Sequence, residues 1–175
     1  MAGGPAATKV MRALVCALWW CAVQPALAGQ LSDLALQVQS ERQQLSERMI
    51  HQTSAQIEKG EAQGSELAEL FRNRGVARNY MLQYPEALRD FSRAVEIDQV
   101  NPQYYEDRAI THIKLREYEA AARDLHMALG LDPKRASAYR EKGRLAFYQK
   151  DFHRASQEFS RALHNARGEQ IVYTR

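Results

Sequence analysis

Three cations recur at one interval in this 175-residue chain: Arg74, Arg108 and Lys142, each thirty-four residues from the next. Sixteen residues after each stands an acid, Asp90, Asp124 or Glu158. Arginine goes with aspartate twice and lysine with glutamate once, the pattern of a buried or half-buried ion pair repeated three times. An Arg–carboxylate pair can be bidentate and geometrically selective. Its net stabilisation is small because desolvation opposes attraction, so setting register is the contribution expected. A catalytic reading would require one active site to be copied three times, which no reaction needs. The five histidines, His51, His112, His126, His153 and His164, have no metal-ligand spacing and sit in no phosphate-type glycine loop. Serine and aspartate have no nucleophile-elbow or triad context. The expectation is a non-enzyme with no cofactor and no metal.

The elements that must position these pairs are written in a repeated phrase. YPEALRDFSRAVEIDQ starts at Tyr84, YEAAARDLHMALGLDP at Tyr118 and FHRASQEFSRALHNAR at Phe152, sixteen residues each and thirty-four apart. After the aromatic come an alanine (Ala87, Ala121, Ala155), a bulky apolar residue (Phe91, Leu125, Phe159) and a second alanine (Ala94, Ala128, Ala162). Ahead of each phrase stands another aromatic (Phe71, Tyr105, Tyr139), followed four residues later by a small residue (Gly75, Ala109, Gly143). Residues three and four apart share one face of a helix, so the small residues let a neighbouring backbone approach while the aromatics fill the groove beside it. Two antiparallel helices per unit follow. No alternating strand pattern competes, and the fold class is all-α. Asp132-Pro133 stops the second helix of one unit, because proline disfavours helical geometry in the residue before it. The counterparts of Pro133 are Gln99 and Arg167, where less sharply defined turns are expected.

This pattern resembles the tetratricopeptide repeat, a helix-turn-helix solenoid unit of thirty-four residues. The resemblance covers residues 68–169, in units 68–101, 102–135 and 136–169. It implies that the first helices line a concave binding side, where the exposed positions would be Arg72, Val76 and Asn79 in the first unit. Glu106, Ile110 and Ile113 follow in the second, and Arg140, Arg144, Phe147 and Tyr148 in the third. Apolar residues amid charges suit a peptide or helix laid in a groove; the alternative is that Ile110, Ile113 and Phe147 pack between repeats. Members of the family that grip an acidic C-terminal tail do so with lysine, arginine and asparagine. Here the corresponding places hold Arg72, Val76, Asp107, Ser137 and Glu141, and two acids argue against that function.

The flanks differ from the repeats. In residues 1–28, Lys9 and Arg12 precede the apolar run ALVCALWWCAV and the small-residue pattern Ala26-Leu27-Ala28, the layout of a secretory signal peptide. Eleven apolar residues fall well short of the roughly 20 a bilayer span needs. Export, most naturally to a periplasm, with cleavage after Ala28 is expected; a start at Met11 would also leave a complete signal. Both cysteines, Cys16 and Cys21, lie in that segment, so the mature chain would have no disulfide or cysteine metal site. It would carry 22 − 21 = +1 net charge, after loss of two of the 24 basic residues, which gives no reason to expect nucleic acid. The charge is nevertheless uneven: residues 134–175 hold 10 basic and 4 acidic residues, against 12 and 17 in residues 29–133. Residues 29–67 read as a short amphipathic helix (Leu31, Leu34, Val38, Leu45) and then a helical tract, Ser46 to Gly60, forming a degenerate half-repeat and N-terminal cap. Gly60 and Gly64 bracket a loop, with Ser65 as N-cap of the next helix. Residues 170–175 read as a remnant or the start of a further helix, with Tyr173 where a fourth opening aromatic would stand.

Together these features predict an exported scaffold or adaptor of the cell envelope that binds other proteins through its groove. The alternatives are a self-assembling protein that stacks through its open C-terminal repeat, and a non-catalytic subunit of an envelope enzyme.

Overall fold

A computed structural model of the chain describes the backbone of residues 5–172 and the side chains of residues 30–166. The side chains of the expected leader, and Tyr173, lie outside the described residues. Seven helices and no strand occur among the described residues: α1 (Pro5–Lys59), α2 (Gly64–Tyr80), α3 (Tyr84–Ile97), α4 (Pro102–Lys114), α5 (Tyr118–Leu131), α6 (Ala136–Tyr148) and α7 (Phe152–Val172). The architecture is an all-helical repeat solenoid. The chain divides into two compact units, residues 1–44 and residues 45–175. Among the described residues no helix is long and apolar enough to cross a membrane, and no cluster of His, Cys, Asp and Glu could hold a metal ion.

The first unit is helical throughout its described backbone, and it exposes Leu31, Leu34, Leu36 and Val38. Two separate helices were expected over residues 31–60. The structure has instead one uninterrupted helix to Lys59, because residues 30–59 contain neither glycine nor proline to break it.

In the second unit α2 pairs with α3, α4 with α5 and α6 with α7, while α3 packs on α4 and α5 on α6. Gly60 and Gly64 both adopt positive φ and turn the chain into α2. Gln63, not Ser65, is the N-cap residue, and Ser65 already lies inside the first turn. Inside each hairpin the small residues meet the bulky ones. A Cβ added to Gly75 would lie 2.8 Å from the Phe91 ring, and one added to Gly143 would lie 2.7 Å from the Phe159 ring. The middle hairpin solves the same volume problem differently: Ala109 stands where glycine stands elsewhere, and Leu125 replaces the phenylalanine, both fully buried in one core cluster. Glycine goes with phenylalanine and alanine with leucine, as close packing demands.

The turns also repeat. Two residues past the end of each first helix stands a residue at positive φ, Leu82, Arg116 and Lys150. The next amide donates back to Arg78, His112 or Ala146, and its predecessor to Asn79, Ile113 or Phe147, which is the Schellman arrangement. Between hairpins, Asp98 and Asp132 have nearly the same backbone angles (φ −135° at both; ψ 97° and 92°). Each carboxylate accepts from the amide two residues on, at 3.1 Å. The expectation of a looser turn at Gln99 therefore fails: the aspartate shapes the turn, and proline is dispensable. At Arg167 there is no turn at all, because α7 runs on to Val172. The residue in the aspartate's place is Ala166, which has no carboxylate to cap the next amides.

Candidate functional site

The three cation–acid pairs sit inside their hairpins, each joining a first helix to its own second helix. Arg74 grips Asp90 with Nε and Nη2, the closest approach being 2.8 Å. Arg108 holds Asp124 through two parallel bonds of 2.8 and 2.7 Å, and that hydrogen bonding raises the Arg108 pKa despite burial. Lys142 Nζ lies 3.4 Å from Glu158 Oε1. Each cation also lies over the aromatic three residues before it: Arg74 over Phe71, Arg108 over Tyr105 and Lys142 over Tyr139, at 5.4, 5.8 and 5.9 Å. Sequence reasoning missed the second guanidinium on Asp90, that of Arg78 at 2.8 Å. It also missed the third partner of Arg74, the Ser54 hydroxyl of α1. The acids are almost wholly enclosed, so these pairs fix register and leave nothing free for a substrate.

The first helices are neighbours, α2 against α4 and α4 against α6, and present one continuous face. Its N-terminal part is occupied by its own hydrogen bonds. Arg72 Nε donates to Asp107 Oδ2 at 2.6 Å, and Gln103 donates to the other oxygen at 2.8 Å. Burial lifts the Asp107 carboxyl above its usual range, and Arg72 opposes this without cancelling it. The Tyr104 hydroxyl donates to Glu69 at 2.9 Å; burial, then this bond, pushes its pKa up to about 12. Asn79 donates to Thr111 at 2.8 Å. Arg135 and Ser137 both donate to Glu106 Oε2, at 2.6 and 2.8 Å, and Arg135 also bonds Gln103.

At α6 the same face opens. Glu141 is 2% exposed and accepts from two guanidiniums, Arg140 Nε at 3.3 Å and Arg144 Nη1 at 3.0 Å. Two cations share one carboxylate, so this pole keeps one positive charge. The Arg140 side chain is 59% exposed and that of Arg144 35%. Phe147 and Tyr148 stand exposed beside them, edge to face.

The expected groove residues thus separate into two sets. Arg140, Phe147 and Tyr148 are exposed and Arg144 partly so, whereas Val76 and Ile110 are half-buried. Glu106 and Ile113, expected to be exposed, are 3% and 4% exposed. Arg135 and Ser137 cover the first, and the second packs into the hydrophobic core. Arg72 and Asn79 are spent on α4. At the tail-gripping positions, Asp107 and Glu141 are both neutralised by neighbouring arginines. The sequence held a signal for part of this network: Glu69 to Tyr104 and Arg72 to Asp107 are each one period plus one residue apart.

No protein-family model and no curated protein matches this chain. Solved structures do match. The first TPR of Spaghetti (RPAP3), bound to the HSP90 peptide SRMEEVD, is 22% identical at a TM-score of 0.56, over 59% of this chain and 82% of that one. The Sgt2 TPR domain from Aspergillus fumigatus is 23% identical at 0.56, over 59% and 69%. YrrB, a TPR protein with an unusual peptide-binding site, is 16% identical at 0.61, over 70% and 61%. At these identities the likeness establishes the fold: the chain has the tetratricopeptide-repeat architecture.

Proposed function

We propose that this protein is a non-catalytic adaptor that receives a segment of another protein at the α6 pole of its first-helix face. The observation that carries the reading is the contrast along that face. From α2 to α4 the polar groups are already paired with one another, whereas Arg140, Arg144, Phe147 and Tyr148 present charge and aromatic surface to solvent. A cationic patch beside aromatics suits a peptide with an acidic residue next to an apolar one; the aromatics supply desolvated area and the arginines orientation. Solved proteins of the same fold hold peptides, which supports a binding role without naming this chain's ligand. The leader-like residues 1–28 support placing that role in the cell envelope, after export and cleavage at Ala28.

The test is a titration of a panel of labelled acidic–aromatic peptides into the full chain at two ionic strengths. Arg140→Glu with Arg144→Glu is expected to weaken capture by at least about tenfold, and added salt to weaken the wild type in the same direction. Equal binding by the doubly reversed chain removes the α6 pole from the reading.

A further inference from the structure

Two acids stand one period apart on the first-helix face, Asp107 in α4 and Glu141 in α6, and they keep different company. Both are buried. Asp107 accepts from one guanidinium, that of Arg72 in the preceding first helix, and from the neutral amide of Gln103. Cation and anion cancel there. Glu141 takes its partners from its own helix, and takes two: Arg140 Nε reaches Oε1 and Arg144 Nη1 reaches Oε2. A different arginine thus holds each oxygen, and each arginine commits one nitrogen to Glu141 and keeps donors on the others. Neither guanidinium has a further ion-pair partner among the described residues. The α6 pole therefore offers donors for two acidic groups but the charge to neutralise only one.

We infer that Glu141 sets the specificity of this pole: it limits the ligand to a single carboxylate, an aspartate or glutamate side chain, and turns away a phosphoryl group. The inference rests on the adaptor reading above and narrows the anion that reading admits. Attraction to the pole grows in proportion to the ligand's charge, whereas the cost of stripping water from the ligand grows with the square of that charge. One carboxylate matches a net charge of one. A phosphoryl group carries roughly −1.5 to −2 at neutral pH, so up to half of its charge would lose water without a counterion. Glu141 acts without touching the ligand, since it lies beneath the two guanidiniums and is 2% exposed. It is a positioning residue: by holding Nε of Arg140 and Nη1 of Arg144 it fixes which nitrogens are left for the ligand. Arg140, Arg144 and Tyr148 follow at four-residue steps along α6, so an acid held by the arginines has its apolar neighbour beside the tyrosine.

The probes are two labelled peptides of one sequence, with glutamate or phosphoserine beside a tryptophan, titrated into the full chain by fluorescence anisotropy at low ionic strength. The readout is the ratio of the two Kd values, which a general loss of structure does not move. Wild type should bind the glutamate peptide at least as tightly as the phosphoserine one. Glu141→Gln keeps the shape and removes the charge, and should shift the ratio toward phosphoserine by at least about fivefold. Arg140→Gln, at an exposed position, lowers the pole's net charge to zero and should shift the ratio toward glutamate. A ratio that neither variant moves overturns the inference while wild-type binding keeps the adaptor reading in place. A wild type that prefers phosphoserine overturns it too, and assigns the pole to phosphorylated partners. If wild type binds neither peptide, the adaptor reading falls and this inference with it.

Discussion

The first and third hairpins of this molecule use the same residues in different surroundings. Gly75 with Phe91 and Gly143 with Phe159 are one pair written twice, and Asp90 and Glu158 anchor one kind of cation in each. In the first hairpin the ring is fully enclosed, and the acid accepts two guanidiniums whose side chains are 15% and 21% exposed. In the third the ring is 39% exposed, and the acid's partners are a lysine at 26% and Arg161 at 61%. Neighbours, not composition, decide which copy is core and which is surface. A repeat array gains much of its stability at the interfaces between units, and among the described helices α2 to α7 only α6 packs on α7.

The largest expected effect comes from forcing the two glycines to differ. Gly75→Ala drives a methyl into a ring that cannot move, and should cost about 1–3 kcal/mol. Gly143→Ala presses on a ring with open space on one side, and should cost less than about 1 kcal/mol. Thermal melts of the two single variants measure the difference; equal losses would dissolve the contrast between closed and open hairpins. Adding Phe91→Leu to Gly75→Ala recreates the Ala109–Leu125 combination of the middle hairpin, and should recover part of the loss.

A smaller effect sharpens the closed side alone. Tyr104 keeps its proton in the folded chain up to about pH 12, against 10.0 for an ordinary tyrosine. The raised value means its contribution to stability is fully present below pH 10 and is lost as pH climbs toward 12. In that window the unfolded chain has already given up the proton that the folded chain retains. Tyr104→Phe should therefore show a shallower fall in melting temperature between those pH values than wild type. An identical slope would mean that the hydroxyl is not held between burial and Glu69.

The period, the alanines and the small-residue positions made the hairpins legible from sequence, because a thirty-four-residue interval copies whole packing contacts. The turns were less legible. Proline drew attention at Pro133, yet the aspartates at 98 and 132 carry the geometry, and at 166, where alanine stands instead, α7 runs on without a turn as far as Val172. Three turns also place leucine, arginine or lysine at positive φ, where glycine would be the usual signal and its absence hid the motif. In the groove, exposure was the failure. Position in a repeat says which side a residue faces but not whether a neighbour has already claimed it, as Arg135 claims Glu106 and α4 claims Arg72 and Asn79. Arg140 and Arg144 keep one positive charge at the surface because they share the single carboxylate of Glu141.

The central claim is that equivalent positions are sealed in the first two hairpins and open in the third. Hydroxyl-radical footprinting of the dilute full chain, read residue by residue, tests it most directly. Phe91 and Leu125 should resist modification while Phe159 and Leu163 are labelled readily. Labelling of Phe91 at the rate of Phe159, or protection of Phe159 and Leu163 in the dilute, unpartnered chain, would contradict the account.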